Sequence, residues 1–472
     1  MATATLDSNV IEAAVDHLGM RLQAARRNAS PLAGYYDDPE RFILECVKWG
    51  GGQGPTDYQK EVARRLIEKK RVALRCPHGA GKTAIAALLI LWFALTREAC
   101  GEGDWKIVMT ASAWRQLSHY LAPEIHKWVR QLDWFKMGRA PFDGRTELLQ
   151  QTLKLNRGEA FCAASDKPDL IEGAHADRLL YVFDEAKAIP PATWDAAEGA
   201  LASGNCMAFA ISTPGEPQGR FYDIHARKPG LDDWWVRHVT LEECVAAGRV
   251  SAEWAQQRKL QWGDRSAVYQ NRVLGEFASS DEDGMIPLAW IEAANERWRE
   301  REESGEWGEF TRVGVDVGGG VDLTVLALRY GDAIKELRPY NDADPMVVTG
   351  HVAAVLRGNG GEAVVDVIGI GAGVVGRLRE EKWQVQAFNA GEGTDWKDQS
   401  GELQFVNKRS AAWWNLREML DPANNHNIAL PPDDLLIGDL TAPHWRPSSS
   451  GKIVVESKDD IRKRLGRSTD SG

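Results

Sequence analysis

An apolar strand, Val72-Ala73-Leu74, runs through Arg75 into Cys76-Pro77-His78-Gly79-Ala80-Gly81-Lys82-Thr83, and a helical stretch begins at Ala84. Strand, glycine-bearing loop and helix in immediate succession leave few folds open. Backbone N–H groups of the loop and the positive end of the helix converge on one point, which suits an anion of phosphate geometry. Gly79, Ala80 and Gly81 are expected to wrap phosphates, Lys82 to reach the β and γ oxygens, and the Thr83 hydroxyl to hold Mg²⁺. The start of the loop is irregular. The usual pattern opens on Gly where this chain has Cys76, and Pro77 has no N–H to offer.

A second apolar strand, Leu179-Leu180-Tyr181-Val182-Phe183, ends in Asp184-Glu185-Ala186. A nucleotide hydrolase needs such a pair: Asp184 to hold Mg²⁺ through water and Glu185 to polarise the attacking water. A third strand, Met207-Ala208-Phe209-Ala210-Ile211, runs into Ser212-Thr213-Pro214, where Ser212 or Thr213 could sense the γ-phosphate; a plain turn is the alternative. Gln59, upstream of the loop, could read an adenine edge or be a surface amide. Arg75, beside the loop, could neutralise transition-state charge or pair with a carboxylate.

These strands, with Trp105-Lys106-Ile107-Val108-Met109, are apolar on both faces, as the centre of a parallel sheet requires. Their alternation with longer helices predicts an α/β domain with ligands at the carboxyl ends of the strands. Four segments are expected: a helical lead-in over residues 1–54, the phosphate-loop domain over 55–278, a linker and charged helix over 279–309, and a second domain over 310–472. The polar run Ser279-Ser280-Asp281-Glu282-Asp283-Gly284 marks the linker.

The second domain opens on Gly314-Val315-Asp316-Val317-Gly318-Gly319-Gly320-Val321-Asp322-Leu323-Thr324. Asp316 lies in an apolar strand, where a carboxylate is costly unless it binds metal or pairs with a cation. Asp322 and Thr324 begin the partner strand of a hairpin, and Asp366 ends the next apolar strand. Paired aspartates on neighbouring strands suit two-metal phosphodiester hydrolysis on an RNase H-like mixed sheet. A third carboxylate is expected near the end of the chain, with Asp470, Asp439, Asp459 and Asp460 as candidates. The basic segment from Lys458 to Arg467 could touch phosphate or be a solvated helix.

The net charge of −11 argues against a surface that grips nucleic acid everywhere, though a local basic track is enough for phosphate contacts. Six cysteines without C-x-x-C pairs indicate neither a zinc site nor a disulfide framework. No apolar run is expected to approach the roughly 18 residues that span a bilayer. Met1-Ala2-Thr3-Ala4-Thr5 lacks a signal-peptide layout, so a reducing cytoplasm is expected. The 19 tryptophans are read as packing residues before base-stacking ones.

Taken in order, these motifs resemble the large terminase subunit of tailed bacteriophages. The phosphate loop from Arg75 to Thr83 is similar to the family's form, in which the first Gly is often absent. Glu172-Gly173-Ala174-His175-Ala176-Asp177 before Asp184-Glu185-Ala186 is similar to its lead-in. Ser212-Thr213-Pro214, the following Gly219-Arg220-Phe221-Tyr222, Asp316, Asp366 and Asn407-Lys408-Arg409-Ser410-Ala411-Ala412-Trp413-Trp414 match its remaining motifs. The resemblance implies an ATP-driven motor that packs double-stranded DNA into a procapsid, with an endonuclease that uses Mg²⁺ or Mn²⁺ and cuts the genome. It implies a small terminase subunit, a portal protein and a homo-oligomeric ring as partners in the host cytoplasm. In the family the final motif continues beyond the position of Asp470. The third ligand is therefore Asp470 or a residue past Gly472, and weak cutting is expected. A helicase or repair translocase with a fused nuclease is the alternative, disfavoured by the Asp316 pattern where a second motor domain would stand; a module with decayed sites conflicts with the intact Gly81-Lys82-Thr83 and Asp184-Glu185.

Overall fold

The computed structural model describes residues 30–51, 54–101, 103–165, 168–201, 205–278, 283–318, 322–466 and 469. The helix expected early in the lead-in, the linker at 279–282, Gly319-Gly320-Val321 and the candidate ligand Asp470 lie outside the described residues. The chain forms two compact units. One comprises Met1–Ala252 with Asn271–Ala278, the other Glu253–Gln270 with Ser279–Gly472.

In the first unit, helices α1 (Pro39–Cys46) and α2 (Asp57–Lys69) precede strand β1 (Arg71–Arg75). Thr56 caps α2 and Gln59 closes a capping box with it, which fixes where the helix starts. After the phosphate loop comes α3 (Lys82–Cys100), whose residues from Ile85 to Arg97 are buried without a break. By length and composition alone this helix could cross a membrane, contrary to the expectation from the sequence, but it is enclosed by the unit. A helix that is apolar all round belongs inside a core, and truncating one of its leucines to alanine costs about 2–5 kcal/mol. Arg97, buried near its end, donates to the Tyr36 carbonyl at 2.9 Å and lies 4.1–4.4 Å from the Tyr36, Trp92 and Phe93 ring centres.

The sheet continues with β2 (Trp105–Ala111), β3 (Thr152–Lys154), β4 (Gly158–Ala164), β5 (Arg178–Asp184), β6 (Cys206–Ser212) and β7 (Trp235–His238). The seven strands lie in the order β3-β4-β2-β5-β6-β1-β7, all parallel except β3. Thus β6 lies between the phosphate-loop strand β1 and the acidic strand β5. Helix α4 (Pro191–Leu201) covers one face through Trp194, which stacks on Phe183 at 4.2 Å and meets Trp234 edge-on at 6.0 Å. Trp92, Trp105, Trp194 and Trp234 are fully buried, in line with the packing role expected of them.

In the second unit, α5 (Leu288–Ser304) leads into β8 (Phe310–Asp316), β9 (Thr324–Tyr330) and β10 (Ala333–Tyr340). These form an antiparallel meander, after which β11 (Glu362–Asp366) and β12 (Val385–Phe388) extend the sheet parallel to β8, giving the order β10-β9-β8-β11-β12. Helices α6 (Pro345–Asn359) and α7 (Gly371–Glu380) pack Val348, Val352, Leu356 and Val374 onto Val313, Val315, Leu326 and Val365. Buried residues alternate along β8 (Val313, Val315) and β11 (Ala363, Val365), so register is pinned. Val365 pairs with Val315, which sets Asp366 and Asp316, the next residues, side by side at the strand ends.

Candidate active sites

The phosphate loop of the first unit is shaped by its neighbours. Gly79 and Gly81 have φ of 80° and 79°, and Gly81 is the cap from which α3 starts. The Tyr58 hydroxyl donates to the Ala80 carbonyl at 2.7 Å. Cys76 is buried, and burial pushes its thiol up to about 12, so it packs as a small apolar residue. Gln59, the candidate for a base edge, is partnered within the chain. It is 2% exposed; its amide oxygen accepts from Thr56 N–H at 2.9 Å and its amide nitrogen donates to the Gly81 carbonyl at 3.1 Å. In this structure it braces the loop.

Arg75 likewise takes the blander of its two readings. Its guanidinium pairs with Glu276 at 2.8 Å and lies 5.2 Å from the Phe277 ring centre. Glu276 belongs to a strap that no motif in the sequence announces. His78 N–H donates to the Arg272 carbonyl at 2.9 Å, while the Asn271 side-chain amide Nδ2 and Ala278 N–H donate to the Gly215 carbonyl at 3.0 and 3.1 Å. A Cβ on Gly275 would lie 2.9 Å from Pro77 Cδ, so only glycine lets the strap pass so close. The strap ties the phosphate loop to the loop after Ser212-Thr213-Pro214.

The strand ends bring the remaining candidates together. Lys82 Nζ lies 3.0 Å from Glu185 Oε1 and 3.4 Å from Thr213 Oγ1. Ser212 Oγ donates to Glu185 Oε2 at 3.1 Å. Glu185 sits at φ 46°, a left-handed conformation that side chains rarely adopt. Burial pushes the Glu185 carboxyl up, but Lys82, Lys187 and the hydrogen bonds from Lys82 and Ser212 outweigh it and hold the pKa below the ordinary value. Burial, then the charge of Glu185, drives Asp184 the other way, well above the carboxylate range. Lys82 is held above its ordinary value because Glu185, Cys76 and Asp184 outweigh its own burial. One buried ammonium thus faces two buried carboxylates, one ionised and one inclined to hold a proton. Paired environments that push two acids apart are typical of sites where one takes a proton and the other binds a cation.

In the second unit Asp316, Asp366, Arg409 and Lys458 line a cavity of about 360 Å³ together with Phe388 and Trp413. Asp366 accepts from Ile368 N–H at 3.1 Å, and a Cβ on Gly371 would lie 1.9 Å from its carbonyl oxygen, so the turn after it requires glycine. Burial and then the Asp316 charge raise Asp366 against the opposing pull of its Ile368 hydrogen bond and Lys458. Thr324 Oγ1 accepts from Gly318 N–H at 3.1 Å and so closes the hairpin, while Asp322 pairs with Arg462 at 2.6 and 2.9 Å.

The basic segment near the end of the chain forms α10, given α8 (Lys408–Leu420) and α9 (Asp434–Thr441) before it; α10 spans Lys458–Leu465. Ser457 caps it, acids fill its first turn and bases its last, as its dipole favours. Lys458 and Arg462, one turn apart, face Asp316 and Asp322; Lys458 Nζ is 2.5 Å from Asp316 Oδ2. Of the third-ligand candidates, Asp439 is buried in α9, and Asp460 accepts from the Ser457 hydroxyl and pairs with Lys463. Among the described residues no group of three His, Cys, Asp or Glu side chains is arranged to hold a metal ion. Asp316 and Asp366, neighbours at their strand ends, are oxygen donors of the kind that hold a divalent cation.

The first unit is an α/β fold built on a mostly parallel seven-stranded sheet, and the second carries a mixed five-stranded sheet. No protein-family model matches the chain. It is 24% identical over 287 residues to the "Probable terminase, large subunit" of Enterobacteria phage P7. The alignment covers 58% of this chain and 56% of the relative, so the chain spans little more than half the length of the protein it matches. The large terminase of a thermophilic bacteriophage, solved in complex with ADP, overlays 91% of the chain and 98% of its own at 13% identity and a TM-score of 0.40. The nuclease domain of the large terminase subunit gp2 of bacterial virus Sf6 overlays 40% of the chain and 94% of its own at 19% identity and a TM-score of 0.34. Overlays this loose add nothing to the reading of either site.

Proposed function

We propose that the chain is the motor and nuclease of a viral DNA-packaging machine: the first unit hydrolyses ATP to drive double-stranded DNA into a procapsid, and the second cuts the concatemeric genome. The observation that carries the reading is the meeting of Lys82, Glu185 and Ser212 at the ends of three parallel strands, in a chain whose second unit sets Asp316 beside Asp366. The likeness to a phage terminase large subunit supports it.

In this reading Gly79, Ala80, Gly81 and Lys82 hold the phosphates of ATP, and Thr83 and Asp184 hold Mg²⁺. The ion neutralises charge on the transferred phosphoryl group when bound. Lys82 leaves Glu185 for the phosphates, and the freed carboxylate orients and deprotonates the attacking water. Ser212 and Thr213, on the strand between, report whether Glu185 and Lys82 are engaged. Arg75 and Gln59 hold the loop's shape. In the second unit Asp316, Asp366 and Asp470 would hold Mg²⁺ or Mn²⁺, which when bound would acidify water and offset phosphate charge. Partners are a small terminase subunit, a portal protein and further copies in a ring, in the host cytoplasm. The test is DNA-stimulated phosphate release and Mn²⁺-dependent plasmid cutting by the same preparation; a chain with neither activity sinks the reading.

A further inference from the structure

Arg409 stands out among the cations that face the acid pair. It sits in the first turn of α8, which Asn407 caps by accepting from Ser410 N–H at 2.9 Å, and its own N–H donates to the Ala390 carbonyl at 2.9 Å. Its backbone is therefore fixed. Its side chain lines the cavity with Asp316, Asp366 and Lys458. Lys458 is consumed by Asp316 and Arg462 by Asp322. Arg409, by contrast, makes no ion pair among the described residues. Its side-chain bond is a long one, Nη2 to the Glu456 carbonyl at 3.3 Å, and its Nε is buried without a partner. Burial lowers its pKa, while Asp316, Asp366 and Glu456 pull it back, so the guanidinium lies in the field of the acids.

A guanidinium has five donors in a planar fork, and leaving them unused in a buried place costs free energy. Such a group is matched to an oxyanion that presents two oxygens. We propose that Arg409 grips the non-bridging oxygens of the DNA phosphodiester that lies at Asp316 and Asp366. This rests on the nuclease reading of the second unit. The carboxylates alone would repel a phosphate; a fixed guanidinium beside them gives the strand a reason to settle there and sets its register. The rival role is a countercharge that only steadies the two aspartates.

The test is binding of a duplex oligonucleotide in EDTA at several salt concentrations, by fluorescence anisotropy, for the full chain and for an Asp316→Asn, Asp366→Asn background. Arg409→Gln is expected to weaken binding about tenfold and to flatten the slope of log K against log salt by about 0.9 in both backgrounds, one phosphate contact being lost. Arg409→Lys keeps the slope but loses severalfold in affinity, because the fork becomes a point charge. If Arg409→Gln changes nothing once the aspartates are neutral, Arg409 is a countercharge and the inference is wrong. Should circular dichroism show Arg409→Gln unfolded, wild-type affinity in Arg409→Lys overturns it equally. A wild-type chain that cuts plasmid with Mn²⁺ while Arg409→Gln binds normally defeats this inference alone. A wild-type chain that neither binds nor cuts DNA defeats the nuclease reading with it.

Discussion

Lys82 Nζ rests 3.0 Å from Glu185 Oε1, so the lysine meant for phosphate and the glutamate meant for water hold each other. In the proposed mechanism this contact must open before either group works. Lys82→Met should weaken binding of a fluorescent ATP analogue at least tenfold, since a charge-assisted phosphate contact is lost. An unchanged Kd would remove Lys82 from the nucleotide site.

Asp184 is buried against Glu185 and its pKa is raised. The folded chain therefore holds a proton there that the unfolded chain has released. The native state binds more protons, so this group's contribution to stability falls as pH rises from the ordinary carboxylate range towards the raised value near neutrality. Asp184→Asn removes that penalty. Its Tm should exceed that of the parent by a few degrees at pH 7.5 and by less at pH 5, while Mg²⁺-ATP turnover is lost. Thermal melts without nucleotide at the two pH values decide it; a melting point lowered at pH 7.5 would contradict the account.

Lys458 neutralises Asp316 through the 2.5 Å contact. Any divalent cation at the acid pair must compete with that ammonium. Lys458→Ala should therefore tighten Mn²⁺ binding, measured calorimetrically, by about fivefold, in keeping with an ion pair worth about 1 kcal/mol at a partly exposed site. Weaker Mn²⁺ binding in the variant would mean that Lys458 orients Asp316 instead of masking it.

The strands at the centre of the first sheet are legible because both faces are buried and their residues are uniformly apolar. Strand β4 is not: its Gly158-Glu159-Ala160 and Cys162-Ala163-Ala164 lack β-branched residues. Edge strand β7 has no buried residue and so no apolar run to find. The residue pairs that carry chemistry divide in the same way. Asp184 and Glu185 announce themselves by ending an apolar strand. The partners of Gln59 and Arg75 do not, because a polar side chain next to a loop carries no local sign of what it will meet. Lys458 lies 142 residues from Asp316, and its segment reads equally well as a solvated helix. A carboxylate in an apolar strand needs a metal or a cation, and for Asp316 the structure supplies the cation.

In the proposed function two chemistries sit in two units of one chain, so each can be removed without the other. Glu185→Gln and Asp316→Asn, assayed side by side with the parent, test this most directly. The account predicts that Glu185→Gln lowers phosphate release 10²- to 10⁴-fold, roughly the range for loss of a general base, and leaves Mn²⁺-dependent plasmid cutting within about twofold, the scatter expected of a distant, independent site. Asp316→Asn should do the reverse. Loss of both activities in either variant, or of neither in both, would contradict it.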